Sequence, residues 1–340
     1  MQNKKWNSLP ILDFSKYSGA VTERENFLEE LREVSRELGF FYLTGHGIDT
    51  ELPELLLKNS REFFALPIEE KLSIEMIHSP HFRGYSRIGA ERTLGLPDWR
   101  EQLDVGAELS PVSDPDISPH WTILQGPNQW PDRLPEFKKI VLRYQKEVTN
   151  LAIRLVHAFS SALGQEPSVF DPILGAKAHQ LMKVIRYPGR ESTNSDQGVG
   201  AHKDGGFVTV LLQDEQAGLE VEYENGWIQV PPIPGTFVIN IGELLELASN
   251  GYLRATVHRA LVPSSGTDRI SVGFFYSARL DANVPLLHLP EHLQKEIRGL
   301  TQDPNNPLFY EVGKNLLKSR FRSHPDVAQR YHSKLLDSVL

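Results

Sequence analysis

Two hydrophobic periods organise the chain. Between Thr22 and Leu163 the ordered stretches carry apolar residues at steps of three and four, the spacing of one helix face. Phe27, Leu31, Val34 and Leu38 predict a helix opened by a Thr22/Glu25 capping box and closed by Gly39. Leu9–Phe14 reads as a short strand before it, and Phe40–Leu43 as an apolar strand after it. Asp49 caps a second helix with Leu52, Leu55, Leu56, Asn59 and Phe63 on one face, ending before Pro67. From Lys71 to Pro135 the period is lost, predicting loops with a few short strands, one of them over Asp98–Val105. The longest helical pattern runs from Glu136 to Leu163, with Phe137, Val141, Tyr144, Val148, Leu151, Leu155 and Phe159 as its stripe and Gly164 as its stop. Such a stripe packs on the outside of a sheet.

Beyond His179 the pattern changes to short apolar or alternating runs separated by Gly, Pro, Asn and Asp. Leu181–Tyr187, Phe207–Leu212, Gly218–Glu222, Gly226–Val230, Thr236–Asn240, a segment around His258 and Arg269–Tyr276 read as strands of a sandwich or jelly-roll. From about residue 290 helical patterning returns at Leu293, Ile297 and Leu300, and at Leu316 and Leu317, in a tail able to cover the open end. The expected architecture is mainly β with flanking helices: residues 1–178 packed on a jelly-roll core of 179–281, followed by a helical tail of 282–340, in one compact unit.

Composition narrows the chemistry. The 340 residues are 40% hydrophobic and 24% charged, as in ordinary globular proteins, with room for a sizeable core. A net charge of −8 with no long basic cluster argues against a nucleic-acid partner. Cysteine is absent, which removes disulfides, thiolate catalysis and iron–sulfur clusters and leaves His and carboxylates as the strong metal ligands. No apolar run reaches the length of a membrane span or signal sequence, so a cytoplasmic protein without an obligate protein partner is expected.

The candidate chemistry lies in Gly200-Ala-His-Lys-Asp-Gly-Gly-Phe-Val-Thr209. In an extended segment His202 and Asp204 project to one face and can converge on one cation. His258, in Thr256-Val-His-Arg-Ala-Leu261, offers a third ligand from another strand. Two imidazoles and one carboxylate form the facial triad of non-haem Fe(II) oxygenases, with coordination positions left open. Arg269 and Ser271 then share a strand face, where a guanidinium fork and a hydroxyl suit a carboxylate held near the metal. Singly, each piece has an ordinary reading: His258 as a core or edge histidine, Arg269-Ile-Ser271 as an exposed strand. Their order and spacing together carry the argument.

That pattern resembles the isopenicillin N synthase-like branch of the Fe(II)- and 2-oxoglutarate-dependent dioxygenases, over about Leu9 to Phe321. The resemblance implies a double-stranded β-helix, Fe(II) on His202, Asp204 and His258, and 2-oxoglutarate chelating the metal, its far carboxylate held by Arg269, Ser271 and Tyr187. Dioxygen and a small organic substrate, hydroxylated by default, complete the expected reaction. Ile185 and Arg186 depart from the Asn and Tyr of many plant members, and Glu243 stands where Asp is usual. Arg83, Tyr85, Arg87 and Arg100 are candidates for holding a substrate carboxylate, and Phe207, Phe275 and Tyr276 for lining the cavity; packing or solvated charge is the alternative for each. His46, in Thr44-Gly-His-Gly-Ile48, reads as structural, and His78 and His81 as surface or cleft-rim residues, since Pro80 breaks the helix that would align them. An oxidase that does not use 2-oxoglutarate and a non-catalytic jelly-roll binding protein share the motif as alternatives.

Overall fold

The computed structural model describes residues 6–112, 119–175, 177–189, 195–264, 266–300 and 306–339. Its strands are β1 Ile11–Asp13, β2 Phe40–Thr44, β3 Gly84–Ser86, β4 Arg92–Thr93, β5 Leu96–Pro97, β6 Glu101–Gly106 and β7 Gln180–Tyr187. They continue with β8 Gln197–His202, β9 Val208–Gln213, β10 Leu219–Tyr223, β11 Gly226–Gln229, β12 Phe237–Ile241, β13 His258–Leu261 and β14 Arg269–Tyr276. The α-helices are α1 Val21–Glu37, α2 Glu51–Phe64, α3 Ile68–Leu72, α4 Pro135–Ala162, α5 Glu243–Ala248, α6 Glu291–Gln294, α7 Val312–Ser323, α8 Pro325–His332 and α9 Leu336–Val339.

A large sheet of order β1-β2-β12-β9-β14-β7-β6-β3 faces a four-stranded sheet of order β11-β10-β13-β8, the two layers of a jelly-roll. The large sheet mixes strands from both ends of the sequence: β2 pairs antiparallel with β12, and β6 with β7. Alternation sorts its side chains. Met182 and Val184 of β7, with Ile270, Val272 and Phe274 of β14, join Tyr144, Val148 and Leu155 of α4 in the main core behind the sheet. On the opposite face Ile185 and Tyr187 meet Val199 of β8 and Ala260 of β13, while Phe40, Tyr42 and Val238 meet Leu219 and Val221 of β10. The helices, the large sheet and the small sheet are therefore three layers, and the space between the two sheets holds the site. Among the described residues no helix is long and apolar enough to cross a membrane.

Local departures from the sequence reading have physical causes. Helix α1 begins at Val21, because the Glu23 carboxylate accepts from the Ala20 N–H at 3.0 Å, making Ala20 the cap in place of Thr22. Asp49 accepts from the Glu51 N–H at 3.1 Å, but Thr50 is the residue that flanks α2, and Leu55 and Asn59 face outward. The strand expected from Asp98 starts at Glu101, since Asp98 turns inward to bind other strands. Of the helical pattern at Leu293, Ile297 and Leu300 only the four residues of α6 form a helix, and Ile297 and Leu300 pack on the core from irregular backbone, whereas Leu316 and Leu317 lie in α7 as expected.

Candidate active site

His202 closes β8 and His258 opens β13, and the antiparallel register sets them directly opposite each other, ring centroids 4.3 Å apart. Asp204 lies two residues past the end of β8, where Glu243 N–H, at the start of α5, donates to its carbonyl at 2.7 Å. Its Oδ1 is 3.6 Å from Nε2 of His202 and 3.7 Å from Nε2 of His258. One ligand atom from each residue falls within 4.8 Å of the others.

Both rings are oriented for the task. Nδ1 of His202 meets the Gly200 carbonyl at 2.8 Å and Nδ1 of His258 meets the Thr256 carbonyl at 3.1 Å. A carbonyl only accepts, so Nδ1 carries the proton and each Nε2 lone pair is left toward Asp204. The other carboxylate oxygen, Oδ2, accepts from Thr209 Oγ1 at 2.7 Å and Asn240 Nδ2 at 2.8 Å. Burial alone would raise the Asp204 pKa, but His258, His202 and Thr209 outweigh it and keep the group ionised far below the usual range. Burial, reinforced by His202, pulls His258 down to about 4. Burial also acts to lower His202, but Asp204 and the Gly200 carbonyl leave its pKa raised.

A third tie reaches back to the first half of the chain. Asp98 Oδ1 accepts from the Gly200 N–H at 3.2 Å and Gln197 Nε2 at 3.0 Å, fixing β8 just before His202. Asp98, Thr209 and Asn240 are site residues that sequence reasoning missed. Period-two placement on its strand marks Thr209 for the same face as Leu211 and Gln213, and Asn240 stands three before Glu243; no local signal marks Asp98.

Arg269 and Tyr187 are paired across β14 and β7, on the face toward the small sheet. The Arg269 guanidinium lies 4.9 Å from the Tyr187 ring centroid and donates to the Gln216 carbonyl at 3.3 Å and Gln213 Oε1 at 2.9 Å. Arg269 is 1% exposed, yet no carboxylate among the described residues lies within 4.0 Å of it. Ser271, two positions on, points to the same side and is also buried. Its hydrogen-bond partners are neutral, with Asp214 in electrostatic reach but not in contact, so the guanidinium keeps donor capacity that suits the carboxylate of a cosubstrate. The donor set of the triad likewise fits a divalent transition metal with open positions.

The structure divides the substrate candidates. Phe275 is on the inner face, over Gly273 and in register with Thr209. Phe207 and Tyr276 lie behind the sheet in the main core, Phe207 edge-on to Phe170 at 5.1 Å and Tyr276 stacked on Phe274. Tyr85 also faces away from the site, its hydroxyl on Glu101 at 2.6 Å. Arg87 is an exposed partner of Glu75 at 2.6 Å. Arg83 is buried against the carbonyls of His81, Phe82 and Leu124, with its pKa lowered to about 10 by burial and by Arg320. Arg100 is buried beside the site, 2.9 Å from Glu91 and 3.2 Å from Asp98, and its charge bears on His202. Glu243, raised to about 7 by burial, has Lys203 and Lys318 within electrostatic reach. His46 packs 4.6 Å from the Phe237 ring and accepts from the Ile48 N–H, and His81 meets the Ile123 carbonyl; His78 is exposed.

Comparison with known proteins agrees with this geometry. The family described as non-haem dioxygenase in morphine synthesis N-terminal matches residues 9–133, and the 2OG-Fe(II) oxygenase superfamily matches residues 178–278. Homoarginine-6-hydroxylase 2-ODD-C23.1 of Arabidopsis thaliana is 37% identical over 298 residues, 84% of this chain and 89% of that protein. A full-length Neurospora crassa protein crystallised with alpha-KG and 5-formyluracil superposes with a TM-score of 0.74 at 25% identity, over 94% of this chain and 97% of that one. JOX2 in complex with 2OG, Fe and JA gives 0.70 at 26% identity, over 95% and 89%. The chain belongs to the 2OG-Fe(II) oxygenase superfamily, and is an iron- and 2-oxoglutarate-dependent dioxygenase.

Proposed function

We propose that His202, Asp204 and His258 bind the catalytic Fe(II), that Arg269, Ser271 and Tyr187 hold the far carboxylate of 2-oxoglutarate, and that the outcome is hydroxylation of a small organic substrate. The observation that carries the reading is the convergence of one ligand atom from each of two imidazoles and a carboxylate within 4.8 Å, beside a strand bearing a buried arginine that no described carboxylate contacts. The bound iron and 2-oxoglutarate supply the oxidising power: dioxygen is consumed, 2-oxoglutarate leaves as succinate and carbon dioxide, and the second oxygen atom enters a C–H bond of the substrate.

The chain's own contribution is position, charge and exclusion of water. Gly200 and Thr256 carbonyls hold both imidazoles in the Nδ1–H tautomer, leaving neutral Nε2 atoms as ligands. His258, His202 and Thr209 keep Asp204 ionised, and Thr209 and Asn240 hold its Oδ2 so that Oδ1 is turned toward the imidazoles. Arg269 offers its guanidinium against Tyr187, between the sheets, so that a diacid reaching from the triad meets a positive charge at its far end. Ile185 and Val199 keep the surrounding wall apolar and dry. The triad followed by Arg-x-Ser also supports the isopenicillin N synthase-like branch.

The relatives named above differ in what their names report: homoarginine, 5-formyluracil and JA have unlike charge and shape. Substrate identity is therefore not inherited from the fold. The test is succinate release from 2-oxoglutarate by the Fe(II)-loaded chain, with and without added small molecules, followed by detection of one added oxygen atom in the consumed compound. Succinate formation abolished by Asp204→Ala supports the reading. Iron binding without succinate under any compound would instead indicate an oxidase that takes all its electrons from the substrate.

A further inference from the structure

The three ligand residues sit on stretches that strand pairing alone does not lock together. His258 is opposite His202, but the register slips at once: from His258 to Ala260 two residues of β13 span three of β8, His202 to Val199, and from Ala260 to Leu261 one residue spans two, Val199 to Gln197. Such bulges disrupt the ladder locally and leave a strand end poorly fixed by its partner. Asp204 lies beyond the end of β8 altogether. Metal ligands tolerate little displacement, so these segments need ties of another kind.

Helix α5 supplies them. Its Leu244, Leu245 and Leu247 are buried in the main core, and the Leu244 N–H donates to the Gly206 carbonyl at 3.0 Å, so the helix is anchored. Its first N–H, from Glu243, donates to the Asp204 carbonyl. One turn on, the Glu246 carboxylate reaches both ligand segments. Oε2 accepts from Lys203 Nζ at 3.1 Å, and Lys203 is the residue between His202 and Asp204. Oε1 accepts from the Ala255 N–H at 3.1 Å, one residue before Thr256, whose carbonyl orients His258. The Lys203 and Glu246 side chains are 27% and 13% exposed, so the pair is less screened than one at the open surface. The Glu243 carboxylate has Lys203, Lys318 and Glu246 within electrostatic reach, but among the described residues only Glu246 forms an ion pair with Lys203.

We infer that Lys203 and Glu246 are positioning residues for the metal: their ion pair, together with the Ala255 N–H, straps the His202–Asp204 turn to the segment that presents His258. The inference rests on the triad being the metal site. Two other accounts of the pair exist: Glu246 only caps the loop after α5, or the two charges act on the ion at a distance. The sign of one effect separates them. An ammonium beside a cation site repels the ion, so removing the Lys203 charge tightens metal binding where charge alone acts, and weakens it where the strap acts.

The experiment compares the full chain as wild type, Lys203→Met, which keeps the aliphatic stem, Lys203→Arg, Glu246→Gln, which keeps an acceptor for the Ala255 N–H, and the Lys203→Met/Glu246→Gln double variant. Anaerobic titration measures Fe(II) affinity, the visible spectrum of the Co(II)-loaded chain reports ligand geometry, and thermal unfolding of the metal-free chain reports the fold. Lys203→Met and Glu246→Gln should each bind Fe(II) about tenfold more weakly and alter the Co(II) bands. The double variant should bind no more weakly than the poorer single variant, since both changes cut one link. Lys203→Arg, which keeps the cation, should hold both readouts at wild-type values. Unchanged or tighter binding by folded Lys203→Met, additive losses in the double variant, or weaker binding that accompanies a lower melting temperature under an unaltered Co(II) spectrum would overturn the inference. Fe(II) binding unaffected by Asp204→Ala would overturn the triad itself as the metal site, and the inference with it.

Discussion

At the scale of single residues the site depends on atoms that never touch the substrate. Asp204 Oδ2 has two donors, and Thr209→Val removes one while keeping the side-chain shape. Metal affinity should fall about 10- to 100-fold, as expected when an outer hydrogen bond to a ligand is lost. Anaerobic Fe(II) titration measures it, and an unchanged affinity would separate Thr209 from the metal site. Arg269→Leu removes a guanidinium that no described carboxylate contacts, and charge-assisted hydrogen bonds of roughly 1.5–3 kcal/mol predict a rise in KM for 2-oxoglutarate of roughly 10- to 100-fold. KM for the substrate should change far less; equal rises in both would mean that Arg269 supports the fold and not the diacid. The triad could be read from sequence because each ligand is a distinctive letter at the end of a patterned strand. Asp98 could not, because its partner Gly200 is 102 positions away and glycine offers only a backbone N–H. The substrate-side aromatics were ambiguous for a related reason: Phe275 and Tyr276 are neighbours on one strand, and period two sends them to opposite faces.

Elements carry these residues, and the end of α1 shows how. Leu38 and Glu37 carbonyls accept from Thr256 Oγ1 at 2.7 Å and from an Arg254 guanidinium nitrogen at 3.3 Å, and the Ser35 carbonyl from the Arg254 N–H. The helix terminus thus holds the segment whose Thr256 carbonyl orients His258. Gly39, which ends the helix, has φ +71°, and a Cβ there would sit 2.1 Å from the Arg254 carbonyl oxygen. Gly39→Ala should cost about 2–5 kcal/mol, combining left-handed strain with overpacking. Thermal unfolding should show a fall of several degrees together with weaker Fe(II) binding; a wild-type melting temperature would sink the claim. The glycine stop and the α4 stripe were legible because both are local patterns. Helix α5 was not, since its six residues span fewer than two turns and present no period. The start of α1 was misread because Thr22/Glu25 and Ala20/Glu23 are overlapping frames, and only the second places its carboxylate on a free N–H.

For the whole molecule, layering helices, large sheet and small sheet buries histidines as well as apolar side chains, and that makes stability depend on pH. Burial, aided by Arg83 and Arg320, pulls His179 down to about 3; burial pulls His258 and His324 down to about 4. For each, the unfolded chain takes up its proton near the ordinary value of 6.5 while the fold still refuses it, so stability is whole above 6.5 and declines as pH falls toward 4. Glu243, raised by burial to about 7, opposes them, since the fold takes up its proton before the unfolded chain does; His202, raised by Asp204 against the effect of burial, is protonated in both states below 6.5 and adds no slope there. Glu91 and Asp104 do not contribute in this window, because Arg100 and Lys183 for the first, and Lys183 and Arg320 for the second, hold them ionised against burial. With these three against Glu243, and His46, His81 and His332 also lowered by burial, the metal-free chain should lose on the order of 3 kcal/mol per pH unit between about 6 and 4.5. His324 stands 6.4 Å from the Phe82 ring, in a cluster that accepts an aromatic side chain. His324→Phe should therefore keep the fold and flatten the slope by roughly 1 kcal/mol per pH unit, because its titration is gone. Urea unfolding of both proteins at about pH 7, 5.5 and 4.5 separates the outcomes. Parallel slopes would mean that His324 is not a source of the acid sensitivity, and a flat wild-type profile would mean that the buried imidazoles accept protons without cost to the fold.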